Sequence, residues 1–165
     1  MKLQVLSDTH EQEYTISSDV DVVVHCGDFS NGGGIKAINE IKKFVNKCKE
    51  ANIEYVLVLG NHDYYNSKIK QVYLTLDNLG INYLKAGKEW KYKGYTFVGG
   101  TLFTNFRSNK EDEFDVDETK RIAYDNIQDF HSIKDSYIVR EFDFNDGDMF
   151  IEQTYITPNQ YHTYC

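Results

Sequence analysis

The sequence of 165 residues contains no apolar run that approaches the roughly 18 residues of a membrane-spanning helix. Its first apolar stretch, within residues 1–8, is too short for a signal peptide. Cysteine is scarce, because Cys26, Cys48 and Cys165 form an odd set without close spacing. This set argues against a disulfide framework and against a thiolate zinc site. Together these absences predict a cytoplasmic protein with no membrane association.

Positive charge is also in short supply, since 18 lysines and arginines face 26 aspartates and glutamates, for a formal net charge of −8. An acidic surface repels the phosphate backbone at long range, so extended binding to nucleic acid is not expected. A hydrophobic content of 41% excludes a disordered chain. The length fits one domain over residues 1–165, without internal repeats or a linker.

The first half of the sequence alternates short apolar runs with amphipathic segments. Strands are predicted at residues 3–6, 20–24 and 53–59, and three consecutive valines fit a strand that is buried on both faces. Apolar residues at helical spacing predict helices over residues 35–48 and 69–79. Alternating strands and helices predict an α/β fold with a mostly parallel sheet.

The second half changes character. A hairpin is predicted around Gly94, a surface loop at the acidic residues 111–118, and a strand at residues 137–144. Thr157 and Pro158 form a helix start signal close to the last residue of the sequence.

Three polar clusters stand at the ends of the three predicted strands. They are Asp8-Thr9-His10, Gly27-Asp28 and Gly60-Asn61-His62-Asp63. The carboxyl ends of parallel strands meet at one edge of a sheet, so these side chains are expected to lie close together. Carboxylate, imidazole and amide groups suit two divalent cations. The predicted metal ligands are Asp8, His10, Asp28 and Asn61.

Each polar side chain has an expected role. Asp28 is the natural bridge between the ions, with Asp8 and His10 on one ion and the Asn61 amide oxygen on the other. His62 is predicted to be the catalytic acid for a leaving oxygen. Asp63 is predicted to assist it by fixing its tautomer and raising its basicity.

In this order and spacing, the three clusters resemble those of the calcineurin-like metallophosphoesterase superfamily. Residues 99–104 also resemble a strand-to-loop segment of small bacterial and phage members. Residues 126–133 and the helix start at Thr157 and Pro158 resemble such members more loosely. The resemblance implies an α/β/β/α sandwich that hydrolyses a phosphomonoester or phosphodiester through a hydroxide activated by two metal ions. Manganese, iron and zinc are the metals that the resemblance suggests.

The sequence departs from the family pattern in its later histidines. The pattern includes a Gly-His-x-His element, but only His131 and His162 follow Asp63, and neither stands in that context. We therefore expect a sandwich that is incomplete at the C-terminus and carries the N-terminal half to two-thirds of the family fold. An incomplete sandwich exposes an edge strand, which predicts self-association or pairing with a complementing C-terminal chain.

Other interpretations stay open. The chain is alternatively a catalytically inactive fragment or one half of a split enzyme, acting as a metal- or partner-binding module. A repair-type nuclease of the same superfamily is a weaker alternative, because the sequence lacks a basic strip. Near the clusters, His25 is expected to pack beside the site and Cys26 to be a buried structural thiol.

Overall fold

The computed structural model describes residues 1–103, 116–142 and 149–155, with side chains over residues 1–103 and 118–134. Three strands form a parallel sheet in chain order: β1 (Leu3–Leu6), β2 (Val22–His25) and β3 (Glu54–Leu57). A helix, α1 (Gly34–Glu50), connects β2 to β3, and α2 (Ile69–Asn78) follows β3. The α/β class predicted from the sequence is confirmed.

The parallel sheet is covered on both faces. On one face, Val23 and Leu57 pack in the main core with the buried residues of α1 and α2. On the other face, Val22 and Val56 pack against aromatic side chains of a hairpin. The hairpin consists of β4 (Glu89–Tyr92) and β5 (Tyr95–Val98). This arrangement explains the consecutive valines, because successive strand residues point to opposite faces and both faces are buried.

The helices that flank the sheet follow from their apolar spacing. In α1 the buried positions Ile38, Ile41, Val45 and Cys48 recur every three or four residues. Lys47 lies in the last turn, where a positive charge complements the helix dipole. The short helix α2 buries one apolar stripe in the same way, and the chain turns away after it at a left-handed glycine.

The second half of the chain differs from the sequence-based expectation. The acidic loop predicted at residues 111–118 is wrong in its last part, because α3 (Val116–Asn126) begins there, while residues 111–115 lie outside the described ranges. The strand predicted at residues 137–144 is found as β6 (Lys134–Phe142). It pairs in antiparallel fashion with β7 (Met149–Tyr155), which the sequence pattern did not reveal. The helix start predicted at residues 157–158 lies outside the described residues.

A single-turn helix, α4 (Asp129–Ser132), docks on the core between α3 and β6. Phe130 and Ile133 are fully buried, and the Asn66 backbone N–H donates to the Ser132 carbonyl oxygen at 2.7 Å. These contacts fix α4 beside the chain that follows β3. Among the helices of the described ranges, none combines the length and the apolar character needed to cross a bilayer.

Candidate metal centre

The loops that leave β1 and β2 continue to pair beyond the strands. The backbone N–H groups of Asp8 and His10 donate to the carbonyl oxygens of Gly27 and Asp28, each at 3.0 Å. The Glu11 N–H donates to the Phe29 carbonyl oxygen at 2.9 Å. The polar clusters after β1 and β2 are therefore held to each other by main-chain hydrogen bonds at the edge of the sheet.

Three of the predicted ligands adopt a left-handed backbone. The φ angles are 51° at Asp8, 44° at His10 and 56° at Asp28. This region is uncommon for residues other than glycine, although aspartate and histidine tolerate it better than most. Such conformations cost free energy and concentrate at functional sites, where the surrounding structure holds them. Three left-handed residues among the predicted ligands indicate a site whose geometry is held by the surrounding fold.

The structure brings Asp8, His10 and Asp28 together, because one ligand atom from each lies within 4.8 Å of the others. The distance between His10 Nε2 and Asp8 Oδ1 is 3.9 Å. This separation is too long for a hydrogen bond, and it is short enough for both atoms to reach one ion at bond lengths of about 2.0–2.2 Å. The three side chains thus fit a divalent cation.

Two imidazole nitrogens at the site are buried without a hydrogen-bond partner. They are His10 Nδ1 and His62 Nδ1, which have no partner among the residues that the structure describes. A buried polar atom without a partner is costly and calls for a ligand, an ion or a water molecule. The rings of His10 and His62 meet edge to face at 5.0 Å, so both nitrogens belong to one region.

Asp28 sits at the centre of the arrangement. Burial raises the pKa of its carboxyl group, while the His62 backbone N–H, which donates to Oδ1 at 3.0 Å, lowers it. A partly buried carboxylate of this kind is costly unless a positive charge accompanies it. A metal ion is therefore the partner that this carboxylate favours.

Glycines allow the loop after β2 to approach the loop after β3. A Cβ atom on Gly27 would overlap the backbone of Gly60, and a Cβ atom on Gly60 would overlap the Asp28 carboxylate. Gly27 also has a φ of +99°, which disfavours other residues. Because both positions lack a Cβ atom, Asp28 and the segment that starts at Asn61 can lie side by side at the same edge of the sheet.

Asn61 lines a cavity of ≈ 510 Å³ together with Asp28. Its amide nitrogen donates to Asp129 Oδ1 at 2.7 Å and to the Tyr65 hydroxyl at 3.3 Å. Neither Asp129 nor Tyr65 belongs to the polar clusters that the sequence pattern marks. The separation of 68 residues between Asn61 and Asp129 left no local signal, although residues 126–133 carried a loose family resemblance.

The expected pair of Asp63 and His62 is wrong. The Asp63 carboxylate is fully buried and accepts backbone N–H groups from Asp28 at 2.9 Å, Phe29 at 2.8 Å and Gly60 at 3.0 Å. Burial raises the pKa of Asp63 to about 7, and these hydrogen bonds act in the opposite direction. Asp63 clamps the loops after β2 and β3 together, and it does not fix the tautomer of His62.

Cys26 and His131 lie outside the cluster of Asp8, His10 and Asp28. The expectation of a buried thiol is wrong, because Cys26 is exposed and lines the cavity. His131 is exposed and contacts the Tyr124 carbonyl oxygen at 2.8 Å through Nε2. His162 lies outside the described residues. His25 packs beside the site, as expected, with its ring stacked on Phe29 at 3.6 Å.

His25 gives the fold a predicted acid sensitivity. Its Nδ1 accepts the Gly27 N–H at 3.2 Å, and burial lowers its pKa to about 4 from the usual 6.5. Below pH 6.5 His25 binds a proton in the unfolded chain, but in the native state it stays neutral until pH falls to about 4. The free energy of unfolding therefore falls as pH falls. We expect the titration of His25 to lower the free energy of unfolding by about 3 kcal/mol between pH 7 and pH 4.

Urea unfolding at several pH values checks this expectation. His25→Gln should be less stable than the unmodified chain at pH 7 but should lose less stability on acidification. His131→Gln, at an exposed histidine, is the control and should retain the full acid dependence. An unchanged pH dependence in His25→Gln would contradict the assignment.

Comparison with known proteins adds an independent line of evidence. A family model described as calcineurin-like phosphoesterase matches residues 1–163. The UPF0046 protein K07C11.7 of Caenorhabditis elegans is 38% identical over 68 residues, which cover 38% of this chain and 21% of that protein. The chain therefore spans only about a fifth of the length of this curated relative.

Proposed function

The chain belongs to the calcineurin-like phosphoesterase family, and from this premise we propose that it hydrolyses a phosphoester with two divalent ions bound at the ends of β1, β2 and β3. The observation that carries the proposal is the convergence of Asp8, His10 and Asp28, whose ligand atoms lie within 4.8 Å of one another. The distance of 3.9 Å between His10 Nε2 and Asp8 Oδ1 supports it.

The donor set divides between two ions. Asp8 and His10 would hold the first ion, the two oxygens of Asp28 would reach both, and the Asn61 amide oxygen would serve the second. When bound, such ions supply positive charge for the phosphoryl oxygens and acidify a water molecule. Oxygen and nitrogen ligands of this kind accept manganese, iron or zinc.

His62 is the proposed acid of the reaction. Its ring stacks on Tyr65 at 4.4 Å between centroids and meets His10 edge to face. These two contacts hold the imidazole beside the metal cluster, in a position to protonate an oxygen that leaves phosphorus. Proton transfer by a positioned histidine contributes about 10²–10⁴-fold to a rate.

His62→Gln is expected to lower turnover about 10²-fold for a phenyl phosphodiester. The loss should be smaller for the nitrophenyl analogue, because a good leaving group needs less protonation. Rate measurements on both esters in the same buffer test this difference, and manganese affinity should stay unchanged. An equal loss on both esters would contradict the role of His62 as the acid.

The direct test of the proposed function is manganese-dependent hydrolysis of bis-p-nitrophenyl phosphate and of p-nitrophenyl phosphate by the purified 165-residue chain. We expect turnover that a chelator abolishes and that added manganese restores. The ratio of the two rates indicates whether diesters or monoesters are preferred. A folded sample that binds manganese without any turnover would contradict the proposal for this chain.

A second candidate is a metal- or partner-binding module that does not catalyse, alone or as one half of a split enzyme. The observation that favours it is the position of His131, which contacts the Tyr124 backbone and not the metal cluster. Within the part of the chain that the structure describes, no later histidine supplies the ligands of the family pattern. Binding of manganese without hydrolysis is the result that this candidate predicts.

A further inference from the structure

Asp129 is a buried carboxylate that reaches the candidate metal centre from a distant part of the chain. It is 3% exposed, begins α4 and lines the same cavity as Asp28 and Asn61. Its Oδ1 atom accepts the Asn61 amide N–H at 2.7 Å and the Tyr65 hydroxyl at 2.7 Å. Asp129 is not among the three residues whose ligand atoms cluster within 4.8 Å. Its chemistry therefore acts through its neighbours.

The Asp129 carboxylate determines which way the Asn61 amide faces. A carboxylate only accepts hydrogen bonds, so it pairs with the amide nitrogen and repels the amide oxygen. The Tyr65 hydroxyl oxygen lies 3.3 Å from the same nitrogen, on the same side of the amide. With its nitrogen held on this side, Asn61 has Oδ1 left for a cation. An asparagine without such a partner could present either end to the metal.

We propose that Asp129 is the positioning residue of the second metal ion, because it fixes the Asn61 amide with Oδ1 directed toward that ion. This inference rests on the proposed function. Partners of this kind, which hold a metal ligand in one orientation, typically contribute 10–100-fold to metal affinity.

The same carboxylate also supports the proposed acid. Tyr65 donates its hydroxyl to Asp129, and its ring stacks on His62 at 4.4 Å. One buried oxygen atom thus connects the ligand of the second ion with the ring that packs against His62. The docking of α4 on the core supplies the rigidity, since Phe130 beside Asp129 is fully buried.

Manganese titration of the full chain by calorimetry tests the inference with a readout other than turnover. In Asp129→Asn we expect the affinity for the second ion, at Asn61, to fall 10–100-fold, while the affinity for the first ion, at Asp8 and His10, stays the same. Asp125→Asn is the matched control. It makes the same change at an exposed carboxylate of α3 outside the metal cluster, so both affinities should stay within about twofold of the unmodified chain.

A swap of the two side chains distinguishes positioning from a loss of folding. Asn61→Asp alone places two carboxylates against each other and should weaken the second ion. The double variant Asn61→Asp with Asp129→Asn restores a donor and an acceptor in reversed order, leaving one Asp oxygen for the metal. We expect it to bind the second ion more tightly than either single variant, a coupling that a double-mutant cycle quantifies.

Four outcomes would count against these claims in different ways. Unchanged affinity for the second ion in Asp129→Asn would overturn the positioning role, as would an equal loss at both ions in a variant with an unaltered melting temperature. Failure of the double variant to exceed either single variant would also overturn it. If the unmodified chain binds fewer than two manganese ions, the proposed function itself fails.

Discussion

Replacement of Asp28 with alanine is expected to abolish binding of both ions and to lower phosphoester hydrolysis by about 10³-fold or more. Asp28 is the carboxylate that lies both within the metal cluster and on the cavity that Asn61 lines. Without it, neither ion retains a complete set of ligands. The several kcal/mol by which metal ions stabilise the charge of the transition state are then lost.

Calorimetric titration with manganese and the hydrolysis assay measure the two effects on the same sample. Asp28→Asn is the isosteric companion, which keeps an acceptor for the His62 N–H but removes the negative charge. Asp19→Ala removes an exposed carboxylate outside the metal cluster and should change neither property. Full occupancy by two ions in Asp28→Ala would disprove the bridging role.

Asp63→Asn is expected to destabilise the fold by about 1–3 kcal/mol, the second large effect. The carboxylate of Asp63 accepts three backbone N–H groups from two loops. An asparagine offers one acceptor oxygen, and its amide nitrogen would face an N–H group in place of an acceptor. At least one buried N–H then loses its partner, and the loops after β2 and β3 lose their clamp.

Urea unfolding of the metal-free chain measures this effect. Asp77→Asn is the control. Asp77 accepts a single hydrogen bond, from the Tyr83 hydroxyl at 2.9 Å, so its loss should cost about 1 kcal/mol. An unaltered stability in Asp63→Asn, together with a shifted pH profile of hydrolysis, would restore the earlier idea that Asp63 serves His62.

The strands and the ligand loops could be predicted because their signals are local. Apolar runs of strand length marked β1, β2 and β3, and the rule that parallel strands end at one edge brought Asp8 and Asp28 together. The same reasoning failed where the answer depended on side-chain direction. Asp63 follows His62 in sequence, yet the 3₁₀ turn over His62–Tyr64 directs its carboxylate to the backbone of the neighbouring loop.

Cys26 shows a signal that was present but not used. Val23 and His25 lie buried on the helix side of the sheet, but Cys26 follows the last residue of β2, so the burial of the strand does not extend to it. Asp129 is a different case. No periodicity connects residue 129 with residue 61, and only the docking of α4 on the core brings the two side chains within 2.7 Å. Long-range packing of this kind is what a single sequence does not reveal.

The hydrogen bonds that join the loops after β1 and β2 have a consequence for the kinetics of ion capture. Asp8 and His10 donate main-chain N–H groups across to the neighbouring loop, so these loops share the rigidity of the sheet although they contain no strand. Their amide hydrogens should exchange with solvent as slowly as those of β2. Because the ligands stand assembled before an ion arrives, loss of water from the hydrated cation, and not rearrangement of the chain, would limit the rate of association.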